Sequence, residues 1–327
     1  QGGTGASSRT VENKLQESVS VKDFGAVGDG VTDDTAAIQA AIDYLSGLSN
    51  DIHPSLFLPA GNYRITSTLQ INEHYLKLSG AGKGRSKGSI TDINGGTAIL
   101  YDGPNLATTE AAIMFGDWAV GSVSGRGIQI EELSIICQEK CNGIYGEQFN
   151  LGRIENVYID KPIVGITLKD GCYSNEINFV EVYDPVTGGM DFREDCHSVT
   201  VSNCAFNGEV SGSNTPDYGM RIAQDANCSS MTLLANNFDY YRVAKHIQVV
   251  QDVKGLNIIG NYIECRGDGV TANACTVVVE DEQNVASRTT SATKGNDPLA
   301  GRAVFVEERS LGVVVQPNPP THAEPFT

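Results

Sequence analysis

Tryptophan occurs once in the 327 residues. No apolar run approaches the ~18 residues that a membrane-crossing helix requires, and no charged-then-apolar leader marks a signal peptide. Basic residues are scarce: 23 Lys and Arg stand against 40 Asp and Glu, a formal net charge of -17. A surface of that sign repels phosphate backbones and anionic lipid, so neither nucleic acid nor membrane is an expected partner. The chain opens on Gln1 rather than Met, which gives the expectation of a processed or trimmed chain.

Cysteine is present but not in a pattern that points to chemistry. Without a secretion signal the eight thiols are expected to be reduced. Cys137 and Cys141 form the one close pair, with no second pair at metal-site spacing. No paired-Asp calcium pattern appears either, so no metal and no cofactor is expected. What is abundant is glycine, at 36 residues, which favours many short strands joined by turns over long helices.

Residues 19–45 read VSVKDFGAVGDGVTDDTAAIQAAIDYL. Gly25, Gly28 and Gly30 mark an irregular turn segment. Asp33 or Asp34 is then placed to cap a helix and put its charge at the positive end. The helix is expected over 35–45, with Ile38, Ala41, Ile42 and Leu45 on one face. Strands follow at 56–58, 62–65 and 76–79, the first two separated by Pro59-Ala60-Gly61.

The run Asp23-Phe24-Gly25-Ala26-x-Gly28-Asp29-Gly30-x-x-Asp33-Asp34-Thr35, followed by Phe57-Leu58-Pro59-Ala60-Gly61-x-Tyr63, resembles the opening of the pectate-lyase-like and polygalacturonase-like β-helix superfamily. Gly2-Gly3-Thr4-Gly5-Ala6 and Arg9-Thr10-Val11-x-Asn13-Lys14-Leu15 are similar to the lead-in of that motif in bacteriophage tailspikes. The resemblance implies an all-β, right-handed parallel β-helix with an N-terminal capping helix. It also implies a homotrimer, a bacterial surface polysaccharide as ligand, and attachment to a virion tail through a region preceding Gln1. The helix is expected to cover an open sheet end that would otherwise invite pairing, so these Asp and Gly residues are assigned to caps and turns rather than to catalysis.

From about residue 125 the chain repeats. The apolar pairs Ile130/Ile135, Ile154/Ile159, Ile177/Val182, Val201/Phe206, Leu233/Phe238 and Ile258/Ile263 begin 24, 23, 24, 32 and 25 residues apart, the period of a β-solenoid. The one long spacing coincides with a Gly-, Ser-, Asn- and Pro-rich insertion at 208–218. A second strand in each coil is expected to start near Gly143-Ile144, Gly165-Ile166, Gly189-Met190, Gly219-Met220, His246-Ile247 and Cys275-Thr276. Cys172, Cys196 and Cys228 share one register and should stack as small buried side chains, and Asn236 and Asn261 share another at a turn. The expected division is a lead-in at 1–18, a cap with the first coils at 19–125, a regular body at 126–285, and a terminal cap or trimer-contact segment at 286–327.

The register nominates a face for polysaccharide chemistry. Asp160, Tyr183, Asn207, Asp239 and Glu264 follow the second apolar member of successive coils, and Tyr158, Glu181, Ala205, Asn237 and Tyr262 stand two positions earlier. Alternation turns these side chains outward. Coils stack at about 4.8 Å. Asp239 and Glu264 could therefore bring carboxyls to the ~5 Å of a retaining glycosidase, and Glu181 or Glu209 with Asp239 would suit the ~6.5–9.5 Å of an inverting one. Asp184 lies just beyond. One carboxyl would protonate the leaving oxygen while the other attacks or activates water. Tyr183, Tyr240, Tyr241, Arg242, Tyr262 and Arg266 are the candidate sugar-binding residues.

Rival readings are open at this point. Arg242, Lys245 and Arg266, expected near the same face, could hold a uronate carboxylate for β-elimination by a lyase. A non-catalytic adhesin would bind glycan without cutting it, and a baseplate or assembly role is a further option. Forty acidic residues also place carboxylates on any face by chance. The polygalacturonase motifs Asn-x-Asp, Asp-Asp and Gly-His-Gly are read as lacking from the repeat region, which argues against pectin hydrolysis and leaves no catalytic residue to carry over.

Overall fold

The computed structural model describes residues 10, 19–46, 55–72, 74–86, 93–107, 109–116, 125–208, 214–224, 228–240, 245–250, 253–265, 276–279, 303–305 and 314–315. These residues form a right-handed parallel β-helix. Among them, a 17-stranded sheet and a nine-stranded sheet face each other across one core.

One coil shows how the sequence makes the turn. The strand Arg153–Asp160 bends at Asn156, turns at Lys161, returns as Val164–Lys169, and turns again at Asp170 and Ser174 before Glu176–Asn178. Left-handed residues make the corners, singly at Asn156 and Lys161 and as a pair at Asp170 and Gly171. Glu132, Asn156, Phe179, Asn203 and Ala235 occupy the bend of the larger sheet at φ between 51° and 58°, with Gly260 at 63° in the last described coil. A non-glycine residue there costs about 1–2 kcal/mol, which the backbone bonds and core on both sides offset.

The bend also explains the spacing of five. Alternation makes inward residues two apart. Ile154, Val157 and Ile159 all point inward, so one extra residue, the left-handed Asn156, shifts the phase. Stacking then aligns Ile130, Ile154, Ile177, Val201, Leu233 and Ile258 in one column. Ile135, Ile159, Val182, Phe206, Phe238 and Ile263 form the next. Phe206 and Phe238 stack with ring centroids 4.6 Å apart and planes at 8°. The opposite strand makes room for them: a Cβ on Gly189 would lie 2.4 Å from the Phe206 ring.

The second-strand expectation holds for five coils, where Ile144, Ile166, Met190, Met220 and Ile247 are in register. The sixth strand starts at Thr276 as expected, with its register one residue on, because Val277 rather than Thr276 pairs with Ile247. Cys172, Cys196 and Cys228 are buried in one column. Asn236 donates to Asn261 Oδ1 at 2.8 Å and accepts from the Cys204 amide at 3.0 Å, so the expected asparagine stack is present and buried.

The helix α1, Thr35–Ser46, buries Ile38, Ala41, Ile42 and Leu45 as expected. It lies against Leu69–Ile71, the edge strand of the nine-stranded sheet. The two aspartates before it divide their work. Asp33 accepts from the Thr35 amide at 3.1 Å, whereas the buried Asp34 carboxylate turns back to the Val27 and Gly28 amides at 2.6 and 2.9 Å. Asp34 therefore pins the glycine turn instead of capping the helix with its side chain. The terminal segment 286–327 lies outside the described residues apart from Ala303–Phe305 and Val314–Val315, which add a strand to each sheet.

Candidate functional site

The nominated face forms two outward columns beyond the bend. Ser134, Tyr158, Glu181, Ala205, Asn237 and Tyr262 are in register, as are Ile136, Asp160, Tyr183, Asn207, Asp239 and Glu264. Between them stand inward residues such as Val182, Phe206 and Phe238, all fully buried. The core thus fixes the orientation of every polar neighbour in these strands.

The face is not open along its whole length, which corrects the expectation for its first coils. Ala98, Leu100, Ile136 and Tyr158 form a small buried apolar cluster, with Tyr183 packed against it. Residues 83 and 84 reach over this end: Ser134 Oγ donates to the Gly84 carbonyl at 2.7 Å, and Lys83 Nζ to the Phe179 carbonyl at 3.0 Å. Tyr158 and Asp160 are consequently only 2% and 7% exposed, and the tyrosine hydroxyl donates to the aspartate at 3.0 Å.

The face opens at Glu181, Tyr183, Asn207, Asn237 and Asp239, all half-buried, with Tyr262 exposed beyond them. Asn207 Nδ2 donates to Glu181 Oε1 at 3.0 Å and so holds that carboxylate across two coils. Asp184 stands apart. It is the left-handed corner residue, its carboxylate is buried with Lys161 Nζ 3.8 Å away, and Asn214 donates to its carbonyl at 3.3 Å. Glu264 and Tyr240 are placed by their strands, Glu264 directly beside Asp239. Glu209, Tyr241, Arg242 and Arg266 lie outside the described residues. Lys245 is on a different face from the one expected, because its strand pairs with Tyr218 in the nine-stranded sheet.

The sequence profile of the family described as rhamnogalacturonase A/epimerase, pectate lyase-like, matches residues 18–231. The chain belongs to this pectate lyase-like family. It is 30% identical to the tail spike protein of Shigella phage Sf6 over 223 residues, 65% of this chain and 32% of that protein. A mannuronan C5-epimerase of Azotobacter vinelandii is 45% identical over 83 residues, 22% of this chain and 8% of the epimerase. The chain thus spans a third or less of these two relatives. The surface adhesin PfbA of Streptococcus pneumoniae shares the fold at a TM-score of 0.55 and 19% identity, over 74% of this chain and 61% of the adhesin.

In this pectate lyase-like chain the nine-stranded sheet carries a second polar face that the repeat pattern did not nominate. Tyr145, Thr167, Asp191, Arg221 and Gln248 are its outward column. Asp191 is fully buried, with Arg193 Nε at 2.6 Å and Arg221 Nε and Nη2 at 2.9 and 2.5 Å. The Arg221 guanidinium lies 4.3 Å from the Tyr218 ring centroid. Burial, then the Asp191 charge, pushes the Tyr218 hydroxyl pKa up. Burial opposes the charge on Lys169, but bonds to Asp170 and Glu147 outweigh it and raise its pKa. Alternation within the second strands was the available signal. Asn237 and Asp239 stand at Asn-x-Asp spacing, which corrects the reading that this motif is lacking from the repeats, but without Asp-Asp and Gly-His-Gly no roles follow.

Proposed function

We propose that the chain is a tailspike-type depolymerase that hydrolyses glycosidic bonds of a bacterial capsular polysaccharide or O-antigen. The observation that carries this reading is the open face on which Glu181, Asn207 and Asp239 stand in register with Glu264 and between tyrosines. The 30% identity to a phage tail spike protein supports the host and substrate class. Tyr183 and Tyr262 offer ring faces to sugars. One carboxyl of the Glu181, Asp239 and Glu264 set protonates the leaving oxygen, and a second attacks or activates water. The working form is a homotrimer joined to the virion tail through a preceding region, and it acts at the bacterial surface.

A second reading is β-elimination by a lyase on the same fold. The test is incubation with purified capsular and O-antigen polysaccharides while new reducing ends and near-ultraviolet absorbance are followed together. Reducing ends without absorbance are expected. New absorbance would indicate elimination, and binding without cleavage would indicate an adhesin.

A further inference from the structure

The outward column that holds Asp239 continues in the other direction through Asp160, Ile136 and Leu100 to Arg64. There it meets a cavity of about 400 Å³ lined by Gly30, Val31, Arg64, Leu100, Asp102 and Gln138. The buried apolar cluster around Ile136 and Tyr158 lies between this cavity and the open carboxylates, so the two are separate sites. The lining comes from four successive coils, a span of about 14 Å at ~4.8 Å per coil.

The chemistry of the walls is mixed in a way that suits a saccharide. Val31 is 75% exposed and gives an apolar wall for a C–H face, backed by the buried Leu100. Asp102 accepts from Arg64 Nε at 2.9 Å and Lys140 Nζ at 3.1 Å, which hold its carboxyl ionised and aimed as an acceptor for hydroxyl groups. Gln138 donates Nε2 to the Tyr101 carbonyl at 2.7 Å, which fixes its amide in the wall. Charge selects further. Arg64 and Lys140 are balanced by Asp102 and by the neighbouring ionised Asp33, so no surplus cation is left for an acidic sugar.

We propose that this cavity is a second, non-catalytic glycan-binding site that takes neutral, hydroxyl-rich sugars. It anchors the polymer away from the carboxylate face. The test uses Asp239→Asn protein, in which the depolymerase reading expects cutting to be slowed, on an array of neutral and acidic bacterial oligosaccharides. Neutral oligosaccharides are expected to bind, and Val31→Glu added to that background is expected to weaken their binding about tenfold at unchanged melting temperature. Gln138→Ala is the second variant should Val31→Glu alter stability, and it is expected to act in the same direction. Unchanged binding in both variants, capture of acidic oligosaccharides alone, or no capture at all would overturn the proposal. Shortening of polymer by the unmodified protein is read separately, so failure of the depolymerase reading is distinguishable.

Discussion

The side-chain amide of Gln39 pairs with the backbone of Gln70 as a neighbouring strand would: Nε2 donates to the Gln70 carbonyl and Oε1 accepts the Gln70 amide, both at 2.9 Å. Gln70 is the middle residue of the edge strand Leu69–Ile71. The helix therefore closes the open end of the solenoid with hydrogen bonds as well as with apolar cover, where unpaired edges otherwise invite association. Gln39→Leu keeps the bulk but leaves both groups unmet. A loss of about 1–3 kcal/mol is expected in urea unfolding, and an unchanged midpoint and slope would contradict this role.

The asparagine stack makes a similar prediction deep in the body. Asn236 bonds the Cys204 amide, the Val201 carbonyl and Asn261 together, 1% exposed. Asn236→Ala strands several buried polar groups and should cost more than any substitution at exposed Thr109, whereas equal effects would mean that water replaces the side chain. A loss of about 1–3 kcal/mol per stranded group sets the scale.

Asp102 gives a pH signature. Bonds from Arg64 and then Lys140 hold its carboxyl below the usual range. A folded pKa that is depressed contributes stability above the unfolded value, about 3.9, and that contribution disappears as pH falls through the folded value. Asp102→Asn should thus be less stable than the unmodified protein at neutral pH, and the two should converge in acid. A gap that is constant with pH would refute the charge-based account. Because the groups are partly exposed, added salt should narrow the gap.

The buried thiols should be inert. Burial pushes Cys204 up to about 12, and Cys196 is raised by its bonds to Cys172 and Cys228. Thiolate is the reactive form, so Cys137, Cys141, Cys172, Cys196, Cys204 and Cys228 should resist a thiol reagent at pH 8 until the protein is unfolded. Rapid labelling of any of the six in native protein, located by mass spectrometry, would contradict the packing.

Much of this fold was legible because the solenoid writes its geometry into sequence. Ile154/Ile159 and its equivalents carry the bend, and Cys172, Cys196 and Cys228 carry the stacking. The capping helix was legible through its apolar face. What did not read through were contacts between distant segments. Nothing near Tyr158 in the chain announces that residues 83 and 84 cover its face, and nothing beside Asp34 shows that its carboxylate turns to Val27 and Gly28. The network of Asp191, Arg193 and Arg221 was overlooked because Arg221 follows Asp191 by 30 residues and only the coil stacking brings them together.

The central claim is that the open face around Glu181 and Asp239 cuts the glycan. Its most direct test is the size distribution of a susceptible polysaccharide after treatment with Glu181→Gln and Asp239→Asn proteins of unchanged melting temperature. Removing a catalytic proton donor or base should slow shortening by about 10²–10⁴-fold while the polymer still binds. Shortening at the unmodified rate by both variants would place the chemistry elsewhere on the β-helix and contradict the account.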